Sequence, residues 1–96
     1  MTREEILAQA KTCVCGDREQ DYGSPEDNFK TIANLWTEYL SVSRIDAIID
    51  AVDVAAMLAL LKIARIASGH AKADNWVDLA GYAACGGEIE MGGAKA

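Results

Sequence analysis

Proline, phenylalanine and basic residues are scarce in this 96-residue sequence. Proline and phenylalanine each occur once. A single proline beside a hydrophobic fraction of 51% excludes a disordered chain. Basic residues are also few, since nine Lys and Arg stand against fifteen Asp and Glu and leave a net charge of −6. Because nucleic-acid binding depends on phosphate neutralisation by Lys and Arg, this balance argues against a DNA- or RNA-binding protein.

Long hydrophobic runs are absent as well. The N-terminal segment MTREEILAQAK contains no apolar run of the signal-peptide type. The longest wholly apolar stretch, residues 54–61, is far too short to cross a membrane. With no export signal, the three thiols of Cys13, Cys15 and Cys85 are expected to stay reduced. The sequence therefore predicts a cytoplasmic protein that has no membrane partner.

The spacing of apolar residues predicts an all-α protein, because no alternating strand pattern or hairpin turn is present. The predicted helices cover approximately residues 2–13, 24–40, 45–67 and 74–90. Their expected start and stop signals are Thr2 with Glu5 as a capping box, Ser24 with Pro25, Asp74, and Gly69 as the C-cap of the third helix. The third helix has the least polar surface and should be central in an antiparallel four-helix bundle. We expect a single domain over residues 1–91 and a flexible tail over residues 92–96.

Three aspartates lie along the predicted third helix. Asp46, Asp50 and Asp53 are spaced four and three apart, so they share one helical face. This face either meets solvent, where the acids are simply hydrated, or lines a cleft of the bundle. Buried like charges are costly unless a cation joins them, and Mg²⁺ usually takes one or two carboxylates together with substrate phosphates.

Other polar residues lie where a ligand could be contacted. Asn75, Asp78 and Tyr82 share one face of the fourth helix, and Asn28 lies on the same side of the second helix as the apolar stripe. Arg18 and Tyr22 belong to a long loop just ahead of a helix N-terminus, a place that favours anions. For Asp78 simple exposure is an equal alternative, and for the loop residues the alternative is an ordinary turn in which Tyr22 packs over the end of the bundle. His70 is assigned no role.

Three segments carry a resemblance that covers roughly residues 10–90. GDREQDYGSPEDNFKTIANLWTEYL, DVAAMLALLKIARIA and DNWVDLAGYAACG together look like a family of short phage and prophage proteins without an assigned function. More distantly, the acidic pair followed by an apolar run ending in ARI resembles the MazG-like all-α nucleoside triphosphate pyrophosphohydrolases. Asp50 and Asp53 match the second acidic pair of those enzymes, whereas the first pair is absent here.

The distant resemblance implies a Mg²⁺-dependent hydrolase that cleaves a nucleotide between its α- and β-phosphates. Asp50 and Asp53 would hold the metal, assisted by Asp78. The expected ligand-contacting residues are Arg18, Lys62 and Arg65 for phosphate, Asn28 and Tyr22 for orientation, and Asn75 and Tyr82 on the fourth helix. The chain would act in the cytoplasm of an infected or lysogenic host, as a homo-oligomer.

Two further hypotheses remain open at this point. The first is a nucleotide-binding protein without turnover, which sequesters a nucleotide or cyclic nucleotide signal of host defence. The missing acidic pair favours this hypothesis. The second is a structural or interaction module, in which acidic and basic residues form buried ion pairs that set the register of the helices.

Overall fold

The computed structural model describes residues 1–17, 24–69 and 71–92. Over these ranges the chain is helical and contains no strand. Four α-helices follow in chain order: α1 (Arg3–Thr12), α2 (Pro25–Val42), α3 (Ala51–Ala67) and α4 (Ala73–Glu90). A π-helical segment, Cys13–Asp17, continues α1. The predicted all-α class with four helices is confirmed, and no helix in the described ranges is long and apolar enough to span a membrane.

The starts of α1 and α2 follow the predicted capping signals. The Thr2 hydroxyl accepts a hydrogen bond from the Glu5 amide at 3.1 Å, and the Glu5 carboxylate accepts one from the Thr2 amide at 3.2 Å. At α2 the Ser24 hydroxyl accepts from the Asp27 amide at 3.3 Å, and Pro25 occupies the first helical position. Each cap satisfies backbone donors that have no partner within the helix.

The third helix starts at Ala51, later than its apolar spacing predicts. Thr37 Oγ1 accepts a hydrogen bond from the Ile49 amide at 2.8 Å and donates one to the Ile49 carbonyl at 3.3 Å, which holds the preceding chain against α2. Asp50 then becomes the N-cap of α3. Asp46 lies before the helix, so the predicted stripe of three aspartates on one helical face is wrong.

The turn between α3 and α4 also differs in part from the prediction. Gly69 adopts a φ of +85° just after the C-cap Ser68, so the expected glycine ends the helix although it does not take the C-cap position. The predicted N-cap of α4 is wrong. Lys72 occupies that position without a side-chain cap, and Asp74 lies in the first turn, where its charge favours the helix dipole. His70 lies outside the described residues.

The third helix shares the centre of the fold with α4, because α3 packs against α2 and α4 while α4 packs against α3 and α1. The packing of α3 on α4 is antiparallel, since Ala55 approaches Gly86 and Lys62 meets Asp78 seven residues further along α3. The buried core cluster joins α2, α3 and α4 through Phe29, Ala33, Val54, Ala55 and Cys85. This core is thin, and Val54 is the one large side chain of the described ranges that is fully buried.

Two glycines of α4 allow close contact with neighbouring elements. A Cβ atom at Gly86 would lie 2.8 Å from the Ala55 Cβ atom, and one at Gly81 would lie 3.0 Å from Val14 Cγ1. The first distance is too short for two carbon atoms that are not bonded to each other, so the backbone of one helix would have to move. The separation of α3 and α4 therefore depends on the missing side chain at Gly86.

Replacement of Gly86 by alanine tests this close contact. We expect Gly86→Ala to lower the free energy of unfolding by about 1–3 kcal/mol, because α3 and α4 must move apart. The matched control is Gly87→Ala, where a Cβ atom meets nothing within 4 Å. That control should gain roughly 0.5–1 kcal/mol from better helix propensity. Urea unfolding measures both, and equal stability of the two variants would contradict the packing described.

Candidate functional site: a buried ion pair between α3 and α4

The centre of the α3–α4 contact is an ion pair. Lys62 Nζ lies 2.9 Å from Asp78 Oδ2, and the two side chains are 9% and 16% exposed. Such burial removes most of the water that would otherwise solvate both charges, so each group depends on its partner. The lysine that the sequence analysis assigned to ligand phosphate is thus engaged by a carboxylate of the same chain.

Other predicted site residues share this region. Asn75 is buried one turn before Asp78, and Tyr82 follows one turn after it. The Tyr82 ring packs at a tilt against Phe29, with 6.4 Å between the ring centroids. A cavity of about 10 Å³, room for about one water molecule, is lined by Cys13, Val14, Val77, Asp78, Gly81 and Tyr82. The structure therefore joins Lys62 to Asp78 directly and places Tyr82 beside Asp78 at the same cavity, with Asn75 one turn away on α4.

The acidic pair predicted to bind metal lies elsewhere. Asp50 Oδ1 accepts from the Asp53 amide at 2.8 Å, and Asp53 Oδ2 accepts from the Asp50 amide at 3.1 Å. This is a reciprocal capping box at the start of α3, and both residues are exposed. Nine residues of helix, roughly 13 Å, separate Asp53 from Lys62. The predicted single site is thus divided between the start of α3 and the α3–α4 contact.

The donor set at Asp50 and Asp53 is small for a cation. Each carboxylate uses one oxygen on a backbone amide, which leaves one oxygen each for a further ligand. Within the ranges that the structure describes, no group of three or more His, Cys, Asp or Glu residues is placed to hold a metal ion. A Mg²⁺ ion at this pair would have to take its remaining ligands from water and a phosphate.

The other predicted ligand contacts are dispersed. Arg18 and Tyr22 lie outside the described residues. Arg65 is exposed in the last turn of α3. Asn28 is exposed as well, so the expectation that it shares the buried side of α2 is wrong. It precedes the buried Phe29 by one residue, and a rotation of about 100° turns it away from the core.

A larger cavity, which the sequence did not predict, lies between the end of α2 and the connection to α3. It has a volume of about 290 Å³ and is lined by Thr37, Ser41, Arg44, Ile45, Asp46, Ala47 and Ile48. It forms because the chain leaves α2 at Arg44, where φ is +65°, and turns back to the Thr37 hydroxyl. Apolar periodicity continues through this segment, so the sequence showed a helix where the structure has an open pocket.

Comparison with known proteins identifies a class and then a family. The chain is similar to phage proteins: it is 40% identical over 82 residues to the Gene 55 protein of Mycobacterium phage D29 and 41% identical over 78 residues to that of Mycobacterium phage L5. Residues 5–90 match the family described as "Domain of unknown function (DUF6378)", and the chain belongs to this family. The resemblance to phage proteins of unassigned function is confirmed.

The coverage of these relatives is unequal. The alignments include 85% and 81% of this chain but 51% and 47% of the two Gene 55 proteins. The chain thus spans about half the length of the curated relatives that it matches. No solved structure gives a significant match.

Removal of one partner from the ion pair should be costly. We expect Lys62→Met to lower the free energy of unfolding by about 3 kcal/mol, since it leaves the Asp78 carboxylate buried without its cation. The double variant Lys62→Met with Asp78→Leu should lose less than the sum of the single changes. Lys30→Met, at an exposed lysine of α2, is the control and should change stability by less than about 0.5 kcal/mol. Additive effects at positions 62 and 78 would contradict the pairing.

Proposed function

We propose that this protein is an interaction module of a phage, which acts by binding another protein chain and not by chemical turnover. The observation that carries the proposal is the amount of apolar surface left exposed. Hydrophobic residues make up 51% of the sequence, yet only seven of those described are buried. Thirteen large hydrophobic residues of the same ranges are exposed. Such residues mark a protein–protein contact where they lie side by side, as Met57, Leu60 and Leu61 do on α3.

The composition of α3 gives the proposal its direction. A helix that is apolar on all sides is normally buried on all sides. In this chain α3 packs on one side against α2 and α4, and its other side meets solvent. The ion pair fits the same function, because Lys62 and Asp78 fix how the two helices lie against each other. This is the role that the hypothesis of a structural or interaction module gives to buried ion pairs.

Association is tested with a variant of the exposed side of α3. Met57 and Leu60 are both exposed, so Met57→Lys combined with Leu60→Lys should leave the helices intact by circular dichroism. We expect the wild-type chain to be recovered from infected host cells in a complex with one defined partner. That partner is either another protein or a further copy of this chain. The variant should be recovered alone. Identical behaviour of both proteins would contradict an interaction function.

A second candidate is a nucleotide-handling protein of the MazG-like kind, either a Mg²⁺-dependent pyrophosphohydrolase or a protein that sequesters a nucleotide signal. One observation favours it: Asp78, predicted to assist catalysis, and Tyr82, predicted to contact the ligand, line one small cavity, and Lys62 pairs with Asp78. The distance between this cluster and the Asp50–Asp53 pair argues against a joint site. Host cytoplasm is the expected location under either candidate.

A ligand screen separates the two candidates. We expect the melting temperature to be unchanged by nucleoside triphosphates and cyclic nucleotides, with and without Mg²⁺, and each nucleotide to be recovered intact by chromatography. Asp50→Asn is the matched variant, because asparagine retains the helix cap while removing the charge. A nucleotide that stabilises the wild type would establish the second candidate. Release of pyrophosphate, lost in Asp50→Asn, would make it an enzyme.

A further inference from the structure

The exposed side of α3 contains an uninterrupted apolar surface. It consists of Met57, Leu60, Leu61 and Ala64, and is called here the α3 outer face. Met57 is 42% exposed, Leu60 64% and Leu61 45%. The spacing of three, four and seven places these side chains on one helical stripe. The centre of this stripe lies about 120° around the helix from the core residues Val54 and Ala55, and the stripe borders the buried side at Leu61. This is the spacing by which one helix packs against another.

Charge is absent from the α3 outer face for a structural reason. Between Asp53 and Arg65 the helix carries one ionisable residue, Lys62, and this side chain is turned inward to Asp78. The net charge of −6 is therefore carried by other surfaces. Asp53, four residues before Met57, continues the same stripe and bounds the face at its N-terminal end. Beyond that residue a partner needs no complementary charge, so the face suits an equally apolar helix.

The accessible surface of the whole chain is larger than that of a compact monomer of the same mass. It is 6914 Å², whereas about 5,400 Å² is usual for a monomeric globular protein of 10.3 kDa. The surplus of about 1,500 Å² belongs to the chain as a whole and leaves room for an interface of standard size, in which each partner buries roughly 800 Å². The radius of gyration, 14.4 Å, is likewise above the value of about 12.5 Å for a compact chain of this length.

We propose that the α3 outer face binds the same face of a second copy, with the two α3 helices antiparallel about a two-fold axis near Leu60 and Leu61. The inference rests on the proposed interaction function and names its partner. A self-complementary patch is what a two-fold dimer requires, since the same residues meet from both sides. Antiparallel packing also separates the two copies of Asp53 by roughly 20 Å, whereas parallel packing would place these like charges side by side.

The first test compares two leucines of nearly equal exposure. Leu60 on the α3 outer face is 64% exposed and Leu35 on α2 is 65% exposed. We expect sedimentation to give a dimer for the wild-type chain and for Leu35→Gln. Leu60→Gln should raise the dissociation constant about 100-fold or more, because two-fold symmetry removes the leucine from both copies. Circular dichroism checks that each variant remains helical.

The second test fixes the orientation of the helices. In a background with Cys13→Ser and Cys15→Ser, a mixture of Met57→Cys and Ala64→Cys proteins should form a disulfide-linked dimer on mild oxidation. Each protein alone should not, because antiparallel packing brings position 57 opposite position 64. Cross-linking of Met57→Cys with itself would overturn the antiparallel arrangement.

Failure of this inference differs from failure of the proposed function. A wild-type chain that stays monomeric, or a dimer that Leu60→Gln leaves intact, would overturn the pairing of α3 with its copy. If such a monomer still bound another phage or host protein through Met57 and Leu60, the interaction function would stand with a different partner. If neither residue affected any association, both would fall.

Discussion

The ion pair between Lys62 and Asp78 fixes the rotation of α3 about its own axis. A turn of the helix that exposed Lys62 would leave the Asp78 carboxylate largely desolvated without its cation, and it would draw apolar side chains on the opposite side toward the core. Two consequences depend on this constraint. Val54 and Ala55 face α2 and α4, and the α3 outer face points to solvent. One pair thus decides both what is buried and what is offered to a partner.

Close contact between α3 and α4 adds a second, purely steric constraint. Gly86 lets the two helices approach at Ala55, and Gly81 does the same for Val14 next to α1. These contacts occur where the core is thin, so the molecule gains more from short distances than from large buried side chains. An exposed apolar face is the counterpart of such a core, because a chain this small buries a modest share of its surface by itself.

The sequence predicted two of the three helix starts for which it offered a capping residue, and it was wrong at α4, where Lys72 and not Asp74 is the N-cap. Thr2 with Glu5 and Ser24 with Pro25 start helices through contacts spanning a few residues, and those predictions are confirmed. The start of α3 depends on hydrogen bonds between Thr37 and Ile49, twelve residues apart, which no periodicity reveals. Asp50 and Asp53 posed a different difficulty, because a spacing of three fits a capping box and a metal-binding pair equally well.

The ion pair is also visible in the sequence, as an isolated charge among apolar residues on each of the two helices. Lys62 interrupts an apolar run, and Asp78 is flanked by apolar residues on α4. A lone charge on an otherwise apolar side of each of two neighbouring helices indicates a buried pair. From the sequence alone Lys62 is expected to contact phosphate and Asp78 to assist the metal-binding pair, because a single sequence does not show which residues of two helices meet.

The hydrogen bonds of Thr37 have a consequence for motion. The Thr37 hydroxyl accepts a hydrogen bond from the Ile49 amide and donates one to the Ile49 carbonyl. Both backbone polar groups of this residue in the connection are therefore held by one side chain. The amide of Ile49 lies outside any helix, yet it should exchange its hydrogen with solvent as slowly as the helix that carries Thr37. We therefore expect the connection between α2 and α3 to be rigid. The two helices that it joins should open together in a single local unfolding event.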